Sequence, residues 1–111
     1  MNKVFRALAD PNRRKLLDAL YSHNGQTANE LCRCLTTSRQ AASKHLSVLI
    51  QADLVIPLWR GRHKLHYLNP VPLRQIAVRW IGPYAQSCQE LLNELNTGIE
   101  QLRPSARASA R

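Results

Sequence analysis

Between Thr37 and Ser47 the chain sets out hydroxyl, amide, guanidinium, ammonium and imidazole groups at close intervals: Thr37, Ser38, Arg39, Gln40, Ser43, Lys44, His45 and Ser47. A second cluster, Arg60, Arg62, His63 and Lys64, holds four basic side chains with no carboxylate among them. Such groups donate hydrogen bonds and ion pairs to phosphates and to the edges of bases. They do not make a reaction centre. No nucleophile, base and orienting group stand in a recognisable arrangement, and no glycine loop is built to cradle a phosphate. The residues point to binding rather than to an enzyme.

The elements that must position these groups are legible from local chemistry. Thr27 and Glu30 fit a capping box, so a helix starts there and runs to about Leu35, stopped by Thr36-Thr37-Ser38. Thr37 or Ser38 caps a second helix, on which Ala42, Leu46, Leu49 and Ile50 form one apolar stripe. Gln40, Ser43, Lys44, Ser47 and Gln51 fall on another face, with Arg39 beside its leading end. Two short helices joined by a tight polar turn make a helix-turn-helix, whose second helix enters the major groove by its N-terminal half.

Upstream, Val4, Phe5, Leu8 and Ala9 share one face of a short opening helix. Asp10-Pro11 supplies a cap and a first-turn proline for the next helix, which turns Leu16, Leu17, Leu20 and Tyr21 inward. Arg13 and Arg14 at its start admit either a phosphate contact or simple solvation. Downstream, the pattern from about 55 to 68 alternates. Leu54, Ile56 and Leu58 point one way, Leu65 and Tyr67 alternate with His66, and Arg60-Gly61-Arg62-His63 is the tip of a hairpin with Trp59 at its base. Pro57 cannot donate to a ladder, which makes the first strand an edge or locally irregular. The hairpin is a β-wing, able to track a phosphate backbone or to put an arginine into the minor groove.

Asn69-Pro70 repeats the cap, and a helix to about Ile81 carries Leu73, Ile76, Ala77 and Trp80 inward until Gly82-Pro83 breaks or kinks it. From about 83 to 102, Tyr84, Cys88, Leu91, Leu95 and Leu102, flanked by Leu92 and Ile99, follow heptad spacing. One helix with that much apolar surface needs a partner. A two-fold homodimer, with Phe5 beside the seam, makes the patch self-complementary.

The chain of 111 residues, 44% hydrophobic, suits one domain over 1–102 and a basic tail over 103–111 expected to be disordered. A net charge of +9 favours an anionic partner, either nucleic acid or an acidic membrane surface. No apolar run approaches the roughly 18 residues of a membrane span, and the N-terminus has no signal-peptide core, so the expected location is the cytoplasm, with no membrane partner. Three cysteines are too few and too odd in number for a disulfide framework. Residues two apart on a helix point about 200° apart, which sends Cys32 to the core stripe and Cys34 to the polar side.

The order of elements, with the segments VFRALADPNRRKLLDAL, SRQAASKHLSVLIQADLV, WRGRHKLHYLN and PVPLRQI, resembles the arsenic-repressor (ArsR/SmtB) family of winged-helix transcriptional regulators. The resemblance spans most of residues 4 to 76. It implies a mainly α fold with a small β-hairpin and a terminal dimerisation helix. It also implies a homodimeric repressor that binds a pseudo-palindromic operator in double-stranded DNA until a signal releases it. Ser38, Arg39, Gln40, Ser43, Lys44 and His45 match the family's DNA-reading helix, and Arg60, Arg62 and His63 its wing. ELCRC, Glu30 to Cys34, resembles the thiolate motif of arsenic-sensing members, but the further nearby cysteine is replaced by Leu35-Thr36-Thr37. The terminal helix also lacks the histidines of zinc-sensing members. No metal and no cofactor are therefore expected, and the inducer is unknown. Two alternatives stand beside this reading. One is a metalloid or redox sensor using Cys32 and Cys34 or Cys88. The other is a winged helix that binds protein instead of DNA.

Overall fold

The computed structural model describes residues 2–102, with side chains up to Gly98. Its elements are α1 (Asn2–Leu8), α2 (Pro11–Ser22), α3 (Ala28–Cys32), α4 (Arg39–Gln51), β1 (Val55–Arg60), β2 (His63–Leu68), α5 (Val71–Ile76), a π turn (Ala77–Ile81) and α6 (Gly82–Leu102). The chain divides into two compact units, one up to Arg74 and one from Gln75 onward. The expected tail 103–111 and the side chains of Ile99 and Leu102 lie outside the described residues.

In the first unit the starts of α2, α3, α4 and α5 follow from the residues that cap them. Asp10 accepts at one carboxylate oxygen from the backbone N–H of Asn12 at 2.8 Å and of Arg13 at 3.3 Å, with Pro11 in the first turn. Thr27 and Glu30 form the full capping box, Glu30 N–H donating to Thr27 Oγ1 at 3.3 Å and Thr27 N–H to Glu30 Oε1 at 3.1 Å. Ser38 Oγ accepts from Ala41 N–H at 3.1 Å, which starts α4. Asn69 Oδ1 accepts from Val71 N–H at 3.2 Å ahead of α5. Each such cap is worth about 1 kcal/mol against alanine.

The other end of α4 is closed by a Schellman turn. Leu54 N–H reaches Leu49 O at 3.0 Å and Asp53 N–H reaches Ile50 O at 3.0 Å, which forces Asp53 to a φ of +60°. Glycine is the usual occupant, because a Cβ is strained there. Asn69 then ties this turn to the end of the hairpin: its Nδ2 donates to Asp53 O at 2.8 Å and its backbone N–H to Leu54 O at 2.9 Å.

α4 packs on α1, α2, α3 and β1, and the core gathers around it. Leu16, Leu20, Leu31, Leu49, Leu54 and Val55 are fully buried, each contributing about 1.5–3 kcal/mol by leaving water. Several expected inward faces differ. In α1 the buried residues are Val4 and Ala7, while Phe5 and Ala9 are exposed. In α2, Tyr21 is 83% exposed, one residue past buried Leu20 and so about 100° around the helix from it. α3 ends at Cys32, not Leu35. The chain keeps winding by tighter i→i+3 bonds from Arg33, Cys34 and Leu35, so Leu35 still reaches the core.

The hairpin pairs β1 and β2 antiparallel in the register Val55 with Leu68, Pro57 with His66 and Arg60 with His63. Gly61, at φ +61°, is the first residue of the two-residue turn, the glycine position of a type II′ hairpin. Leu54, just before β1, is buried as expected, but within the strand the inward parity is opposite to the one read from Ile56 and Leu58: Val55 is buried, Pro57 half-buried and His66 buried, whereas Ile56 and Leu58 are exposed. The reason lies in an isolated antiparallel bridge between Gln26 and His66. His66 N–H donates to Gln26 O at 2.8 Å, Gly25 N–H donates to His66 O at 2.9 Å, and His66 Nδ1–H donates to the same Gln26 carbonyl at 2.9 Å. The ring is thereby satisfied and can be buried at little cost. β2 lies between Gln26 and β1, which leaves Pro57 on the outer edge.

In the second unit Gly82-Pro83 neither breaks nor ends the helix. The widened π turn before it, closed by Gly82 N–H on Ala77 O, carries the carbonyls past the proline ring that would otherwise meet the one four residues back. Ile76 is buried and Leu73 half-buried, but Ala77 and Trp80 are exposed. Trp80 stacks on Tyr84 at 6.3 Å, with the Arg79 guanidinium 4.3 Å from the Trp80 centroid.

Candidate nucleic-acid interface

Two walls and a floor bound a groove of about 900 Å³ in the first unit. One wall is the outer face of α4, where Arg39, Ser43, Ser47 and Gln51 recur every four residues. The other is the hairpin, contributing Trp59, Arg62, His63 and Lys64. The start of α3, from Thr27 to Arg33, closes one side, and the buried His66 lies on the floor. Four permanent cations, Arg33, Arg39, Arg62 and Lys64, line this space with one carboxylate, Glu30. Glu30 is already engaged. The backbone N–H of Thr27 and then its hydroxyl hold the carboxyl below the usual range. With four cations against one carboxylate, the groove presents net positive charge to an anionic ligand. A second hollow of about 600 Å³, lined by Ser38, Arg39, Gln40 and Ser43, sits at the leading end of α4.

The side chains expected to contact DNA do not all share this surface. Arg39, Gln40, Ser43, Lys44 and Ser47 are exposed on α4, and Arg62, His63 and Lys64 are exposed on the hairpin. Ser38 spends its oxygen on the cap of α4, and half-buried Thr37 donates to Ser38 O at 3.4 Å. Arg60 is exposed but does not line the groove. His45 departs furthest from expectation. Its half-buried ring faces Arg13, whose Nη1 donates to His45 Nδ1 at 3.4 Å.

Arg13 and Arg14, left between phosphate contact and solvation by the sequence, have a structural task. Arg13 Nε donates to Ala7 O at 2.8 Å and Nη2 to Arg6 O at 3.0 Å, while Arg14 Nη1 donates to Leu8 O at 2.7 Å. Together they satisfy the free carbonyls at the end of α1. Asp10 sits beside this cluster. Burial pushes its carboxyl up, but the Asn12 and Arg13 amides and the His45 and Arg13 charges outweigh that and hold it below the usual value.

The cysteines are separated in environment. Cys32 is half-buried and Cys34 exposed, and burial pushes the Cys34 thiol up from its ordinary value, with neighbouring Cys32 adding to the shift. Among the described residues no three His, Cys, Asp or Glu side chains cluster at metal-holding distance, and no helix is long and apolar enough to cross a membrane. Groove residues beyond the expected set include Asn29 of α3, Arg33 just after it and Trp59 of β1. Trp59 was recognisable as a strand residue, but its facing the groove depends on the strand parity.

Helix-turn-helix followed by a basic hairpin defines a winged helix-turn-helix, a DNA-binding class. Residues 8–57 match the model of a helix-turn-helix domain family. The chain is 39% identical over 84 residues to the uncharacterized HTH-type transcriptional regulator YuzN of Bacillus subtilis, covering 70% of this chain and 91% of that protein. It is 32% identical over 102 residues to the transcriptional repressor SdpR of the same organism, covering 92% of this chain and all of that one. An ArsR-like transcriptional regulator from Rhodococcus sp. RHA1 superimposes with a TM-score of 0.68 at 30% identity, over 91% of this chain and 90% of its own. The chain belongs to the ArsR family of helix-turn-helix transcriptional regulators, which bind DNA and are not enzymes.

Proposed function

We propose that the chain is a homodimeric repressor that binds a pseudo-palindromic operator, with α4 in the major groove and the hairpin on the flanking backbone. The observation that carries this reading is the shared groove, in which Arg39, Ser43 and Ser47 of α4 face Arg62, His63 and Lys64 of the hairpin with almost no opposing negative charge. Arg39 is the base reader, able to grip a guanine edge with two donors. Gln40 and Lys44 contact flanking atoms, Arg60 extends the basic wing, and Ser38 and Thr37 set the start of the reading helix. His45 positions that helix through Arg13 instead of touching DNA. Repression is carried over from the relative SdpR.

Dimerisation is supported by α6, where Tyr84, Leu91, Leu92 and Leu95 are 65%, 56%, 48% and 54% exposed at seam spacing, with Cys88 exposed between them. Phe5, 43% exposed on α1, is a further exposed apolar residue assigned to the interface. The seam continues to Ile99 and Leu102 in sequence. A thiol sensor has less support, since burial disfavours the Cys34 thiolate that would have to bind a metalloid.

Anisotropy binding to the DNA upstream of the chain's own coding region, over a salt series, tests the proposal. A preferred site and a log–log slope of about −0.9 per phosphate neutralised are expected. Arg39→Ala should cost about 1–3 kcal/mol and relax preference at one base pair per half-site. Equal affinity for every duplex would overturn the operator reading.

A further inference from the structure

We infer that Trp59 is a nucleic-acid contact of this groove, its indole packing against the deoxyribose of the backbone strand that lies between α4 and the hairpin. The inference rests on the DNA-binding reading above and adds a residue to it. It begins with strand parity. Val55, Pro57 and Trp59 share one face of β1, and along that face exposure rises from 1% at Val55 through half-buried Pro57 to 69% at Trp59. The face that builds the core near the base of the hairpin thus runs out into the groove wall, ending in the largest apolar side chain available. Ile56 and Leu58, the other exposed apolar residues of β1, lie on the opposite face with Arg60 and do not line the groove.

The surroundings of Trp59 specify what would cover it. Lys64 is its cross-strand partner, and Arg39 and Arg62 line the same space. Among the described residues the only cation seated over an aromatic ring is Arg79 on Trp80, so none of the basic residues around Trp59 uses its ring as a platform. An open indole bordered by separate cations matches a ligand that alternates apolar and anionic surface at short intervals. A sugar–phosphate backbone does this: the deoxyribose meets the ring while the phosphates on either side meet Lys64 and Arg62. The contact reads no base. It contributes affinity to every duplex equally, and the register it fixes lets Arg39 discriminate.

The full-length Trp80→Phe variant leaves Trp59 as the sole indole and therefore as a direct reporter. With a saturating duplex, its emission should shift to the blue and its quenching by acrylamide should fall several-fold. Trp59→Ala should weaken binding to operator and to unrelated duplex alike by about tenfold. It should do so without changing the slope of log Kobs against log salt, because no charge is lost. Trp59→Phe should retain most of the affinity. If the protein binds duplex while Trp59 stays as open to acrylamide as in the free chain, this inference falls and the DNA-binding reading stands. If Trp59→Ala changes preference at a single base pair, the ring reads a base and the sugar contact is wrong. Absence of binding to any duplex overturns both.

Discussion

Replacing Arg13 by alanine separates two roles that the same side chain could serve. Its Nε bond ends on the carbonyl of Ala7, a residue with no exposed surface, and its Nη2 bond ends on the exposed Arg6 carbonyl. A shielded charge-assisted bond is worth about 1.5–3 kcal/mol, and an exposed one is reduced by solvent to about 0.5. Arg13→Ala should therefore cost about 2–3 kcal/mol, which for a chain of this size lowers Tm by on the order of 10 °C. Arg14→Ala, losing one exposed bond to Leu8, should cost less than about 1 kcal/mol. Arg13→Lys should behave like the alanine variant, since an ammonium cannot span two carbonyls and the His45 ring together. Thermal melting followed by far-ultraviolet dichroism gives the stabilities, and anisotropy gives the salt slope of DNA binding at a temperature where all variants are folded. An unchanged Tm with a slope reduced by about 0.9 would make Arg13 a phosphate ligand and refute the structural role.

Three further outcomes follow from particular atoms. Asp53→Asn should stabilise the protein by about 0.5 kcal/mol, because asparagine tolerates the positive φ and the change removes a negative charge from the negative end of α4. Asp53→Ala should destabilise it, and the opposite order in urea midpoints would contradict this account. Asp10 and Glu30 both have carboxyls held below their ordinary values. The stability they contribute is complete above the unfolded carboxylate values and is lost as pH falls through the lower folded ones, so Tm should drop below about pH 4.5. The double variant Asp10→Asn, Glu30→Gln keeps both caps without titrating and should flatten that drop; an unchanged steepness would remove these two groups from the acid transition. Leu95→Arg should leave the monomer folded, since the side chain is already 54% exposed, but should sediment as a monomer and bind operator weakly. A dimer at the wild-type dissociation constant would move the interface elsewhere.

Local chemistry made much of the fold legible in the sequence. Asp10-Pro11, Thr27 with Glu30, Ser38 and Asn69 each act within a few residues, so the starts of α2, α3, α4 and α5 could be read directly. Gly61 marked the hairpin turn for the same reason. What escaped was decided at a distance. Leu54-Ile56-Leu58 and Val55-Pro57-Trp59 are both apolar alternations, and the choice between them is made by His66 bonding to Gln26, forty residues away. That choice also turns Trp59 into the groove, which is why the hairpin's arginines were legible as a site and its tryptophan was not. His45 entered the DNA-reading set through the family resemblance, not through the helical spacing that gathers Gln40, Ser43, Lys44 and Ser47. Only its approach to Arg13, thirty-two residues earlier, assigns it inward.

Asn69 has a consequence for how the groove meets its ligand. One residue bonds to the carbonyls of Asp53 and Leu54, beyond the end of α4, and also closes the return of β2 and caps α5. The two walls of the groove are thus joined at their root before any ligand arrives. Such a groove gauges width: a duplex whose backbone is too wide or too narrow fails to touch both walls, whatever its bases. In the proposed complex, DNA shape is then a criterion of selection alongside the guanine edge assigned to Arg39. Little loop-ordering entropy is left to be lost on binding, so sequences that already have the right groove geometry are favoured over those that must be bent to acquire it.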